Sequence, residues 1–220
     1  MSREKAKGIR NKDLGRARGE TMGVKLIAIV ALAASVCVAC TTRELSYEEE
    51  IAAWRADKDR FMRESRESPI EPAQRPTFPQ LVYFPTNPEY RVPAALAVAR
   101  GADILEMPTS TGQRRKMQRI GALEFTLKGQ PLKLTAFAEA TDTSLQRLFV
   151  PFGDRTNGNE TYPGGRYLDL DRTATGIYDL DFNRAYHPFC LFNASYDCPI
   201  PPRENRLSVP IRSGEKLTPK

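Results

Sequence analysis

The stretch HPFCLFNASYDCPIPPREN, residues 187–205, holds the chain's single histidine and two of its four cysteines. Three chemistries use such residues at such spacing. Cys190 as a nucleophile with His187 as its base needs a free thiolate and a third group to orient the imidazole. A zinc site needs two ligands beyond Cys190 and Cys198, and the gap between them is wider than a zinc knuckle allows. A disulfide needs only the pair; closing a loop of about nine residues stabilises a fold by roughly 2.5 kcal/mol on the chain-entropy account. An oxidising compartment favours the disulfide, so the location of the protein bears directly on these residues.

A second constellation surrounds GGRYLDLD and YDLDFN. Period-two alternation turns Leu168 and Leu170 inward, with Arg166 on the same face, and turns Tyr178, Leu180 and Phe182 inward on the next strand. If the turn RTATG pairs these strands, Arg166 projects towards a barrel mouth beside Phe182, with the Gly164 and Gly165 amides open. A guanidinium at an apolar rim must find an anion. Either an internal carboxylate such as Glu160 or Glu204 supplies it, or an anionic small-molecule ligand does, held by Arg166 and the glycine amides. Asn183 and His187 complete the ligand-binding candidates. On the opposite face Asp169, Asp171, Asp179 and Asp181 cluster; a solvated face relieved by Arg172 competes there with a weak metal site. In GDRTNGNE, Asp154, Thr156 and Glu160 faintly resemble a calcium loop, but the twelve-residue pattern is not met and a turn at Asn157-Gly158 is the simpler reading. The chain has no P-loop, no G-x-G-x-x-G, no G-x-S-x-G and no two-histidine metal motif.

The elements that position these residues begin with a leader. Residues 26–39 are an apolar run after Lys25, ending VCVAC at Cys40. Fourteen residues span roughly 21 Å as a helix, short of a bilayer core, so the run reads as a secretory signal. Translation from Met22 would give the compact charged start usual for such a signal. The sequence VCVAC resembles a bacterial lipobox, with Ala39 at the small position, Cys37 where leucine is usual, and Cys40 as the lipidated residue. Two acyl chains suffice for stable anchoring. The expectation is a lipoprotein of the cell envelope, on the outer membrane if the source is Gram-negative, since Thr41 rather than Asp follows Cys40. The formal charge is +6 with a pI near 9.2. Of the 33 basic and 27 acidic residues, eight and three lie in residues 1–39, which leaves 25 against 24. A nearly neutral body gives no reason to expect nucleic acid as a partner.

After a tether over residues 40–45, residues 46–68 read as one helix. Ser46 and Glu49 form a capping box, Ile51, Trp54, Phe61 and Met62 make a sparse apolar stripe, and Pro69 stops it. Residues 69–220 form the β domain, with a proline-rich approach and the cysteine-containing loop near its end. Alternation in GALEFTLKG, LKLTAFA and RLFVPF, separated by turn signals, predicts an antiparallel meander. The fold expected is mainly β: an antiparallel sandwich or partly open barrel with one N-terminal helix.

The run FGDRTNGNETYPGGRYLDL, then YDLDFNRAYHPFC and CPIPPREN, resembles the domain of unknown function 1684 family, and with SP, YFP and PTSTG upstream the resemblance covers residues 54–216. His187 departs from the asparagine usual before that proline. The resemblance implies no activity or cofactor, because the family has no settled function. Two readings follow: an envelope lipoprotein whose β domain binds a ligand or partner, or an envelope hydrolase using acidic residues or His187.

Overall fold

The computed structural model describes residues 43–218. The chain divides into units Met1–Glu44 and Leu45–Lys220, and the architecture here is that of the second. Met22, Cys37 and Cys40, and with them the expected leader and anchor, lie outside the described residues.

Helix α1, Tyr47–Glu64, starts where its cap dictates: the Ser46 hydroxyl accepts from Glu49 N–H, and the Glu49 carboxylate accepts from Ser46 N–H. It ends before the expected stop at Pro69, because Ser65 is already extended. Ile51 and Met62 are buried, and Asp59 beside them is buried because its carboxylate accepts the Leu81 N–H at 2.8 Å. Trp54 meets Tyr83 edge to face with centroids 6.3 Å apart, so its ring is used in packing the helix.

Six strands follow: β1 Arg91–Pro108, β2 Arg114–Leu127, β3 Gln130–Glu139, β4 Arg147–Phe152, β5 Arg166–Asp171 and β6 Ile177–Asp181. They make one antiparallel sheet in the order β5-β4-β3-β2-β1-β6, curled nearly into a barrel. Among the described residues, the expected mainly β fold with one N-terminal helix is the fold observed. Alternation placed the inner face correctly: Leu123, Phe125, Leu127, Leu134, Leu148, Val150, Phe152, Leu168 and Leu180 are all buried in one core. Phe182 closes it, with ring centroids 5.4 Å from Phe152 and 5.8 Å from Phe125.

Two features differ from the sequence expectation. The 18-residue β1 lies in RVPAALAVARGADILEMP, whose alanines have weak strand preference and mask the strand. It reaches that length through a register irregularity between Val98 and Asp103, opposite one in β2 between Arg119 and Gly121. Gly121 permits this, since a Cβ there would sit 2.4 Å from the Ala97 carbonyl oxygen. The second difference corrects the assumed pairing of the RYLDLD and YDLDF strands. β5 pairs with β4, and β6 pairs with the first half of β1, Arg91 facing Asp181. The physical reason is the free edge of β1, which β6 fills, while Tyr186 beyond β6 exchanges both backbone hydrogen bonds with Tyr167 on β5. The seam between β5 and β6 is therefore bridged by one residue instead of closed by a hairpin.

Residues 182–218 add no further strand; they wrap the sheet in single 3-10 turns at Phe182–Arg184, Phe189–Leu191 and Arg203–Asn205. Asn205, fully buried, pins this wrap. Its side chain accepts from Thr135 N–H at 2.7 Å and donates to the Thr135 and Pro151 carbonyls at 2.8 and 2.7 Å. Under the wrap, on the face opposite the main core, Met107, Met117 and Phe137 form a second buried cluster.

Candidate functional site

Arg166, the first residue of β5, is completely buried. Its Nη2 donates to the Asp154 carboxylate at 3.0 Å and to the Ile211 carbonyl at 2.7 Å; its Nη1 donates to the carbonyls of Ser213 and Glu215. The side chain is thus enclosed by the C-terminal wrap, not placed at an open mouth. An internal carboxylate answers it, but that carboxylate is Asp154. Of the two acids expected, Glu160 pairs with Arg212 and Glu204 with Arg119. The glycines serve packing as well. Gly165 has φ +92° and donates its N–H to the Tyr162 carbonyl, and a Cβ on it would meet the Phe152 carbonyl oxygen at 2.6 Å. A Cβ on Gly164 would strike the Tyr162 ring.

His187 is also buried, with both ring nitrogens engaged. Nε2 accepts the Tyr162 N–H at 3.3 Å, so the neutral ring carries its proton on Nδ1, 3.4 Å from Glu215 Oε2. Glu215 Oε2 also accepts the His187 N–H at 2.7 Å, and its Oε1 lies 2.8 Å from Lys58 Nζ. Burial, with the Arg166 and Lys58 charges beside it, pulls the imidazole down to about 3. The two cations and two carboxylates of this interior, Arg166, Lys58, Asp154 and Glu215, join the helix, the sheet and the wrap.

Asn183 is fully buried and used on every side: it accepts from Asn87 N–H and donates to Tyr47, the Asn87 carbonyl and Asp181. The four aspartates line a groove along the β5/β6 seam, yet each has its own partner. Asp171 pairs with Arg147, Asp179 with Arg91, Asp181 with Arg184, and Asp169 accepts from the Tyr186 hydroxyl at 2.8 Å. Asp181 is buried rather than solvated, because it caps the turn after β6. Among the described residues no group of three or more His, Cys, Asp or Glu side chains could hold a metal ion. The loop at Asp154 is closed on itself, with Asp154 accepting from Thr156 and Asn157 from the Asp154 N–H. Cys190 and Cys198 are adjacent free thiols: the Cys190 N–H points at Cys198 Sγ from 3.2 Å. Burial pushes the Cys198 thiol up to about 12, so it is protonated and a poor nucleophile at neutral pH.

An accessible site lies elsewhere, in a cleft of about 360 Å³ between the outer face of the sheet and the wrap. Phe149 on β4 and Tyr167 on β5 meet at 72° with centroids 4.8 Å apart; Tyr167 meets Tyr186 at 90°, and Phe189 meets Tyr196 at 88°. Buried Met117 and Cys198 also line it. At its exposed margin stand Arg115, Glu139 and Asp197, with Arg115 3.3 Å from Glu139 and 3.7 Å from Asp197. Hydroxyls of Thr109 and Thr111 hold the Asp197 carboxyl below its usual range. Only Cys198 among these was singled out from the sequence. The missed signal is in the same alternation that located the core. Phe149 and Tyr167 occupy outward positions, and large aromatics on an outward face mark a covered patch.

The structure thus defines a small, nearly closed antiparallel β domain with a charged interior and an aromatic surface cleft. The chain belongs to the family described as Protein of unknown function (DUF1684), which it matches over residues 76–216. It is similar to a solution NMR structure of an uncharacterized protein of Haloarcula marismortui, with 39% identity over 78% of this chain and 94% of that one and a TM-score of 0.62. No curated protein matches it.

Two outcomes follow from the interior. Replacing Arg166 with Met leaves Asp154 buried without its cation and three carbonyls without a donor, a loss of about 3–5 kcal/mol in urea unfolding; a loss below about 1 kcal/mol would contradict the structural role. His187 contributes one component of the pH dependence. Its folded pKa lies below the unfolded value of about 6.5, so the unfolded chain takes up the proton first. The stability that neutral His187 provides is complete above about pH 6.5 and declines as pH falls from there towards 3, by at most about 1.4 kcal/mol per pH unit. In His187→Asn that decline between pH 6.5 and 5 disappears; an unchanged slope would refute the assignment.

Proposed function

We propose that the β domain binds a small molecule in the aromatic cleft and performs no reaction on it, as the working part of an envelope protein tethered through a lipid on Cys40. The observation carrying the binding reading is the cleft itself. It is mostly apolar, walled by five aromatic rings, bounded by charged groups at one margin, and of a size typical for small-ligand sites. The groups a hydrolase would need are otherwise committed: His187 is neutral with both nitrogens engaged, and the aspartates of the β5/β6 seam are paired.

The lipid anchor rests on VCVAC alone, and the outer membrane is the proposed destination if the cell is Gram-negative. No described helix is long and apolar enough to cross a membrane. Cys190 and Cys198 are proposed to be cross-linked in the envelope. Their adjacency supports this, and the cross-link would tie the Phe189 turn to the segment carrying Tyr196.

The binding reading is tested by nuclear magnetic resonance with a set of small amphipathic compounds. Shift changes are expected to concentrate at Phe149, Tyr167, Tyr186 and Tyr196; binding that leaves those residues unperturbed would place the site elsewhere. The tether and the cross-link are read together from the intact mass of the mature protein expressed in a Gram-negative host. A lipid adduct at Cys40, lost in Cys40→Ser, and no alkylation of Cys190 or Cys198 in the unfolded, unreduced chain are the expected results. A lipid-free mature protein defeats the tether, and full alkylation defeats the cross-link.

A further inference from the structure

Resting on the binding reading of the cleft, we infer that its ligand class is an organic cation, a quaternary ammonium or similarly alkylated amine, held in an aromatic cage. The anion expected from the sequence depended on Arg166 at an open rim, and that side chain is buried among its own partners. The cleft has the opposite character. Five aromatic rings line it, with Phe149, Tyr167 and Tyr186 successively near perpendicular, as are Phe189 and Tyr196, while Phe189 also stacks on Phe61 outside the cleft. Ring faces are electron-rich and attract cations, and quaternary ammonium groups, which cannot donate hydrogen bonds, depend on such faces.

Three observations sharpen the sign of the charge. The margin carries one cation, Arg115, against two carboxylates, Glu139 and Asp197, both within 4 Å of it. An incoming anion must compete with both for a guanidinium that also donates to the Asp197 carbonyl at 2.8 Å. An incoming cation meets a net negative margin. The Tyr186 hydroxyl donates to the Asp169 carboxylate, which raises electron density in its ring, and that ring already holds an ammonium: Lys58 Nζ lies 4.0 Å from its centroid. The Lys58 charge is countered by Glu215, so it does not make the region positive. The cleft walls offer few hydrogen-bonding groups, which suits an alkylated ammonium better than a primary one.

The experiment compares choline with 3,3-dimethylbutan-1-ol, its neutral carbon isostere, on the full chain in a sugar-headgroup detergent, by calorimetry and by shift mapping. Choline is expected to bind at least tenfold more tightly than the isostere, about 1.4 kcal/mol, with shifts at the cleft aromatics. Tyr196→Leu is expected to lower choline affinity about tenfold and Glu139→Gln several-fold. Glu139 is exposed, so its variant tests the charge without endangering the fold. Equal affinity for choline and the isostere overturns the cation inference while leaving the binding reading intact. Tighter cleft binding of benzoate than of choline overturns it in favour of an anion. No cleft shift with choline, the isostere or benzoate overturns this inference and the binding reading together.

Discussion

A guanidinium with no access to water must find its charge partner and acceptors within the protein or it destabilises the fold it occupies. Both terminal nitrogens of Arg166 are answered, by a carboxylate from the loop after β4 and carbonyls from Ile211, Ser213 and Glu215, while its Nε has no partner among the described residues. The consequence is architectural: the last part of the chain, which makes no strand of its own, is held against the sheet by a charge on β5. Neighbouring Glu215 extends the arrangement to α1 through Lys58 and to the residues after β6 through His187. Helix, sheet and wrap thus depend on one buried set of charges whose signs balance. Such a set costs desolvation, and it favours a single arrangement because a misplaced partner leaves a charge alone.

The cleft depends on that arrangement. Its walls come from two sources: Phe149 and Tyr167 stand on the outer face of the sheet, while Tyr186, Phe189 and Tyr196 come from the wrap. Without the wrap, the sheet would expose two aromatics on an open surface. With it, perpendicular rings enclose a space. The interior charges therefore act on the candidate site indirectly, by fixing the segment that completes it, and no member of that interior cluster lines the cleft.

Much of the fold was legible from residues close together in the chain. The Ser46 and Glu49 cap, the inward leucines of β2 to β6 and the turn at Asn157-Gly158 were read from local chemistry, and the GGRYLDL and CPIPP motifs marked the family. β1 escaped notice because alanine-rich sequence has weak strand preference, although its partner strand compensates for that weakness once paired. The pairing of β5 with β6 was misplaced because adjacent alternating segments with a turn between them look like a hairpin locally. Whether they pair depends on which other edges are free.

By itself, the sequence determined the quantities that depend on a few neighbouring residues: where the helix begins, which side chains of the strands after β1 face inward, and that Arg166 must meet an anion. Only the tertiary structure decided which anion Arg166 meets, which strand β6 joins and where the aromatic rings converge. These are contacts between positions far apart in the chain; Arg166 and Ser213, for example, are separated by 47 residues. Burial demands that a buried charge have a partner, but it does not say which of several carboxylates is that partner. That choice is made when the chain closes and one acid, Asp154, lies within 3.0 Å.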